Sequence, residues 1–220
     1  MRYKIKNMVK SKFEYQFYYR RNLPHYQPKD GVFFITYRLA FSLPRAILNK
    51  LLEKRKQFDK ELEQLDNSKK TKQRFICNKI LFDVTDNFLG KYKKDPHWLK
   101  NNEIAQLVID SLFFNHKKKY NLLCYVIMSN HVHIIIKPLI EKNDTPYSLS
   151  VIMKDHKDYT AHEANIILHR KGQFWLHENY DHYIRNRHEL NRIIRYILNN
   201  PVKAGLVNDY SEWKYLWLNL

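Results

Sequence analysis

Apolar residues recur along this chain at two periods, and the switches between them mark out its elements. Residues 32–39 (VFFITYRL) are dense in β-branched and aromatic side chains and read as a strand. They end at Ser42-Leu43-Pro44, a helix-start signal. Over 45–58 the spacing becomes helical, and it does so again over 101–117, 148–168 and 189–200. Residues 125–137 (YVIMSNHVHIIIK) read as a central strand closed by Pro138, and Pro201 ends the last helix. Residues 81–89 fit neither period and are expected to form a short turn element before the Asp95-Pro96 break. Phe174-Trp175 starts a short strand or loop that Tyr183-Ile184 continues, and the aromatic tail (Trp213, Tyr215, Trp217) is expected to pack back on the body. No internal repeat is visible. Separated strands and helices predict an α+β fold with an antiparallel sheet, in one domain spanning 1–220.

Two segments stand apart from this pattern. Residues 1–30 form a basic, aromatic-rich arm, with Pro24, Pro28 and Gly31 marking the loop into the first strand. Residues 53–74 are a charged insertion, read as a helical hairpin or a mobile excursion with a solvated face, and no function is assigned to it.

Charge adds a partner to the picture. The chain carries 39 Lys+Arg against 22 Asp+Glu, a formal charge of +17 spread over much of its length. Neutralising phosphates releases condensed counterions, so such an excess favours a polyanion, and nucleic acid is favoured over a membrane surface because no basic amphipathic anchor is evident. No window approaches the ~18 apolar residues of a membrane helix, and no secretion signal is apparent. Cys77 and Cys124 lack a CxxC spacing, so neither a disulfide framework nor a zinc knuckle is suggested. The expectation is a soluble, cytoplasmic protein.

The chemistry centres on His131-Val132-His133. Positions i and i+2 of a strand share a face, so both imidazoles can meet one cation, although zinc sites also use this spacing and a buried histidine is often satisfied by a hydrogen bond. In the helix over 189–200, Leu190, Ile193, Ile194, Ile197 and Leu198 form an apolar stripe. Tyr196, Asn200, Arg192 and, if the turn persists past Pro201, Lys203 fall opposite, with Tyr196 and Asn200 one turn apart. An exposed tyrosine on a solvated helix would look the same. Two imidazoles and an amide oxygen would leave a divalent ion most of its charge for polarising a phosphate, and Mn²⁺ or Mg²⁺ suits such mixed ligands. A tyrosine attacking that phosphorus gives a covalent phosphotyrosine and a free 3′ hydroxyl. The free phenol has a pKa near ~10, so it would need activation by a metal or by cations such as Arg192 and Arg195.

At these residues the chain resembles the REP-associated tyrosine transposases of the single-tyrosine HUH superfamily. The matching segments are LPHYQP, FFITYRLAFSLP, YVIMSNHVH, SLSVIMKDHKDYTAHEAN, GQFWLHENYDHYIRN and IIRYILNNPVKAGLV, in the family's order and over nearly the whole chain. The resemblance implies a ferredoxin-like antiparallel sheet with helices on one face, and divalent-metal-dependent nicking and strand transfer. The implied substrate is single-stranded DNA with a hairpin (a palindromic repeat), cut through a covalent 5′-phosphotyrosine. It carries the histidine pair onto His131 and His133, the nucleophile onto Tyr196 in the family's Y-I-x-x-N-P pattern, and the third ligand onto Asn200. Tyr180 and Tyr183, within ENYDHY, are rival nucleophiles, and Ser129 stands where the family commonly has proline. Candidate DNA contacts are Arg20, Arg21, His25, Arg38, Lys154, Lys157, Arg185, Arg192 and Lys203, with Lys154 and Lys157 on the outer face of their helix. Tyr18, Tyr19 and Tyr26 are candidates for stacking on unpaired bases. Two other functions fit the same residues: a catalytically silent hairpin-binding regulator, and a nuclease in which water attacks while Tyr196 orients the phosphate. A monomer or a homodimer would serve.

Overall fold

The computed structural model describes residues 18–20, 24–41, 43–91, 94, 96–141 and 144–219. Most of the basic arm, including Arg21, lies outside the described residues. Arg20 and His25 enter only as backbone of a two-stranded pair, β1 (Tyr18–Arg20) and β2 (Pro24–Tyr26). There follow β3 (Val32–Arg38), α1 (Arg45–Glu63), α2 (Asn67–Lys91), α3 (Asn102–Asn115), β4 (Tyr120–Ile127), β5 (His131–Pro138) and α4 (Leu149–Ile167). The chain then runs through β6 (Tyr180–Ile184), α5 (Arg187–Leu198), a short α6 (Asn200–Lys203) and β7 (Leu216–Leu218).

The main sheet has the order β6-β3-β5-β4-β7, antiparallel at every pairing. With α3 between β3 and β4, and α4 between β5 and β6, this is a ferredoxin-like β-α-β-β-α-β core to which β7 adds an edge. The fold is therefore α+β, as expected. Trp217, on that added edge, stacks on Tyr125 with ring centroids 6.0 Å apart, so the aromatic tail does pack back on the body.

Alternation divides the strands between two cores. Phe33, Ile35 and Tyr37 of β3, with Val132, Ile134 and Ile136 of β5, face α3 and α4 through Ile104, Val108, Leu112, Ile152 and Met153. On the opposite side Phe34, Val126 and Ile135 pack against Ile193, Ile194 and Ile197 of α5, with Phe82 of α2 alongside. The single helical layer expected thus holds for α3 and α4 alone. The reason for the difference is that β3, β4 and β5 are buried on both sides, with Phe34, Cys124, Val126 and Ile135 giving the second side an apolar patch that α5 covers.

Two further expectations are corrected. Residues 125–137 do not form one strand. The chain reverses at Ser129-Asn130, where the Met128 N–H donates to the His131 carbonyl (2.9 Å), and the reversal resets the alternation. Tyr125 and Ile127 therefore face α3 and α4, whereas His131, His133 and Ile135 face α5. Ser129, in place of proline, is tied into this turn by the bond between its hydroxyl and His97 Nδ1 (2.8 Å). Residues 81–89, in turn, are not a short turn element but the last part of α2, which packs on α1 as a helical hairpin inserted between β3 and α3.

Local signals position the site helix. Asn186 caps α5 by accepting from the Glu189 N–H (2.9 Å), and Glu189 in turn accepts from the Arg185 N–H (2.9 Å) and contacts His182 Nε2 (3.0 Å). Pro201 does not stop the helical path, because the first turn of α6 tolerates its missing N–H. The path ends at Gly205, whose φ of +67° suits glycine and lets the Leu206 N–H reach back to the Pro201 carbonyl (3.0 Å).

The other side of the sheet carries a buried chain of polar bonds. His156 of α4 meets Tyr37 Oη of β3 (2.8 Å) through Nε2 and Ser111 Oγ of α3 (2.8 Å) through Nδ1. Burial, reinforced by the charge of Lys157, pushes this imidazole down to about 3. The unfolded chain therefore binds a proton below about pH 6.5 that the native chain refuses, and stability falls as pH drops through the window from 6.5 towards 3. The expected slope from this group is ~1.4 kcal/mol per pH unit inside the window. Urea unfolding at a series of pH values should show a shallower acid loss in His156→Gln, and identical slopes would refute the assignment.

Candidate metal and tyrosine site

His131 and His133 lie side by side on the α5-facing side of β5, both with no exposed surface. The registers set their neighbours: His133 pairs with Thr36, and His131 with Arg38, on β3. Each ring is held by its Nδ1. That of His133 bonds Thr36 Oγ1 (2.7 Å), and that of His131 bonds the side-chain oxygen of Asn130 (2.6 Å), whose own amide donates to the Leu89 carbonyl (3.1 Å). Asn130 Oδ1 can only accept, so His131 carries its proton on Nδ1 and turns the Nε2 lone pair inward. Phe34 stacks on the His133 ring at 5.5 Å and fixes its plane.

The inward nitrogens meet a carboxylate that sequence reasoning missed. Asp86 of α2, 6% exposed, places Oδ1 3.3 Å from His133 Nε2 and 3.7 Å from His131 Nε2. One ligand atom from each of Asp86, His131 and His133 lies within 4.8 Å of the others. A signal for Asp86 exists in the sequence: Phe82, Asp86 and Leu89 share one face of a helix, so an acid sits on an apolar stripe. The signal is legible only once 81–89 is placed on a helix, which its mixed period does not indicate.

Tyr196 and Asn200 complete the group. The Tyr196 hydroxyl donates to Asp86 Oδ2, its ring packs near Phe34 (6.0 Å) and His133 (5.6 Å), and Lys203 Nζ lies 5.3 Å from its centroid. Asn200, also 6% exposed, brings its amide 3.1 Å from His133 Nε2. Tyr196 is thus not on a solvated basic stripe. Burial, then the charge of Asp86, pushes its phenol well above the ordinary range, the reverse of the activation by arginines that the helical wheel suggested. The histidines move the other way. Burial pushes His131 down to about 3 against the pull of Asp86, and lowers His133, so both are neutral lone-pair donors near neutral pH.

The rival tyrosines separate by face. Tyr183 lies on the opposite side of the sheet, against Phe33 and Tyr26, and does not face the cluster. Tyr180 is on the same side as Tyr196, but its ring stacks on Phe82 at 4.1 Å.

Among the basic residues, Arg38, Arg192 and Lys203 flank the cluster. Arg38 donates to the Leu39 and Phe41 carbonyls (3.3 and 3.0 Å), and Arg192 reaches Glu189 Oε1 (3.2 Å). Arg185 is exposed at the entry to α5. Lys154 and Lys157 belong to α4, behind the sheet. Lys154 is exposed and pairs with Asp158 (2.8 Å). Lys157, expected on the outer face, is instead 8% exposed, and its ammonium donates to the Leu176 carbonyl (2.6 Å), the His177 carbonyl (3.1 Å) and Asn179 Oδ1 (2.7 Å). It fastens the segment before β6 rather than offering a charge to a ligand. Lys157→Met should lower unfolding stability by about 2 kcal/mol, the scale of losing charged hydrogen bonds, without weakening nucleic-acid binding. Denaturant melts and an affinity titration check both halves.

Fold and site together define a ferredoxin-like α+β protein with a buried histidine pair, a carboxylate and a tyrosine gathered on one sheet face. No protein-family model matches the chain. A solved structure, of a REP-associated tyrosine transposase bound to a REP hairpin, shares the fold over 90% of this chain and 80% of that one, with a TM-score of 0.50 at 18% identity. A Haemophilus influenzae protein that carries the provisional name REP-associated tyrosine transposase is 24% identical over 103 residues. That match covers 44% of this chain and 57% of the relative's length. Sequence and fold thus both meet the resemblance to REP-associated tyrosine transposases drawn from the motifs. Among the described residues no helix is long and apolar enough to cross a membrane.

Proposed function

We propose that this chain is a metal-dependent DNA transposase of the REP-associated tyrosine type, acting as one domain. It binds single-stranded DNA carrying a hairpin, nicks it through Tyr196 and rejoins it. One observation carries the reading. Among the described residues, His131 Nε2 and Asp86 Oδ1 are buried polar atoms without a hydrogen-bond partner, and they face each other beside the Tyr196 phenol. Unpaired buried polar atoms are costly, and a shared cation would satisfy both.

The residues fit such an ion. Neighbouring ligands of an octahedral ion with ~2.1 Å bonds are ~3 Å apart, close to the 3.3 and 3.7 Å separations here. His131, His133 and Asp86 would hold Mg²⁺ or Mn²⁺, and Asn200 would join them if its amide turned to present oxygen. When bound, the ion supplies Lewis acidity to a phosphate oxygen.

The chain's own groups then account for the proton. Tyr196 stays protonated at rest because desolvation and the neighbouring Asp86 charge both disfavour the phenolate, and its O–H already points at Asp86 Oδ2. As the phenol oxygen bonds phosphorus, Asp86 receives the proton and the 3′ oxygen leaves, taking a proton from solvent. Rejoining reverses each transfer, with a 3′ hydroxyl displacing Tyr196. Lys203, over the ring, favours the phenolate as it forms.

The test is a labelled hairpin oligonucleotide incubated with Mn²⁺ or Mg²⁺. A protein–DNA adduct that survives denaturation is the expected result. Hydrolysis without an adduct would assign a water-using nuclease, and tight binding without cleavage in either metal a silent hairpin-binding regulator.

A further inference from the structure

The inserted helical hairpin does more than deliver Asp86. Between α1, α2 and the β3–β6 edge of the sheet lies a cavity of about 470 Å³ whose lining includes Thr36 and Asp86, so that it meets the metal and tyrosine site at Asp86. Its outer wall is the stripe Leu48, Leu51, Leu52 and Arg55 of α1. These side chains are not a packed core: Leu48 is 42% and Leu52 56% exposed, and Phe58 is the buried residue of that helix. Opposite stands the Phe82–Tyr180 stack, and the amides of Asn78 and Asn179 border the space. Flat aromatic and aliphatic walls with two amides and the Glu178 carboxylate in the lining suit a planar, neutral ring that both donates and accepts hydrogen bonds. Two cations of the lining, Arg55 and Arg38, the latter also bonded to the Leu39 and Phe41 carbonyls, suit the phosphates attached to such a ring.

We infer that this cavity receives one unpaired nucleobase of the DNA strand, the base next to the phosphate held at Tyr196. The inference deepens the function proposed above and rests on it. The α1–α2 hairpin, otherwise a charged excursion, thereby sets which nucleotide beside the cut is accepted. A base seated there draws its phosphate towards Asp86, His131 and His133, because the cavity and the cluster share Asp86.

The experiment uses the full chain and three kinds of oligonucleotide: the hairpin with a single-stranded flank, a series in which each flanking base in turn is replaced by an abasic site, and the hairpin alone. At one flank position the abasic site should weaken binding about tenfold, within the range that base stacking on aromatic side chains provides. Leu52→Trp, an exposed change that fills the cavity mouth, should erase that difference while leaving affinity for the bare hairpin unchanged. 2-Aminopurine at the sensitive position should change fluorescence on binding to the unmodified chain and not to Leu52→Trp. Hairpin binding that is indifferent to every abasic site, or a Leu52→Trp chain that discriminates as before, overturns the pocket and leaves the transposase reading intact. A chain that binds neither hairpin nor flank overturns both.

Discussion

Tyr196→Phe is expected to abolish the covalent protein–DNA adduct, lowering nicking by ~10³-fold or more, as loss of a nucleophile does. Hairpin affinity should stay within about twofold. The separation of effects follows from the geometry. The ring of Tyr196 packs among Phe34, Phe82 and His133, so phenylalanine keeps that packing and removes only the oxygen. That oxygen bonds Asp86 and also interacts with Asn200, both members of the same cluster. Denaturing gels with end-labelled hairpin DNA read the adduct, and a filter titration reads affinity. Tyr180→Phe is the matched control, since Tyr180 lies on the same sheet face but is stacked on Phe82, and it should retain the adduct. An adduct that persists in Tyr196→Phe and vanishes in Tyr180→Phe would transfer the role.

Asp86→Asn is expected to have effects of opposite sign with and without metal. Without metal, Asp86 is a buried carboxylate with one unpaired oxygen, and the neutral amide relieves that cost while still accepting from Tyr196. The metal-free variant should therefore melt at the same temperature as the parent or higher. With Mn²⁺ the order reverses. An ion bound only to the native state, at about 100 times its dissociation constant, stabilises by ~2.7 kcal/mol, and the variant should lose most of that gain. Calorimetric Mn²⁺ affinity should fall by at least the ~10–100-fold that loss of even an outer-shell partner produces. The same titration on Asn200→Ala distinguishes the ligand set. Unchanged Mn²⁺ affinity in Asp86→Asn, with a large loss in Asn200→Ala, would return the third position to the amide. His131→Ala should abolish cleavage while retaining hairpin binding.

How far the chain could be read depended on the range of the information. Helices α3, α4 and α5 were legible because each keeps an apolar stripe at its own period and α3 and α5 carry asparagine caps. The pairing of His131 with His133 was legible for the same reason: i and i+2 share a face of any strand. What failed was the step across Ser129-Asn130, where a two-residue reversal carries no glycine or proline and passed for continuous strand. The end of α2 was illegible too, because its stripe mixes Phe82 and Leu89 with Asp86 and Thr85, and a polar residue on an apolar face reads as noise until its partner is known.

By itself the sequence determined the alternation of strands and helices, the shared face of the two histidines, and the one-turn spacing of Tyr196 and Asn200. These are local properties, set by backbone period within a few residues. Tertiary structure alone decided that Asp86, 45 residues before His131 in number, closes the cluster (131 − 86). It also decided that Tyr183 faces away and Lys157 is buried, and that packing and the Asp86 charge around Tyr196 raise its pKa instead of lowering it. Desolvation depends on everything packed around a group, and no spacing along the chain encodes it.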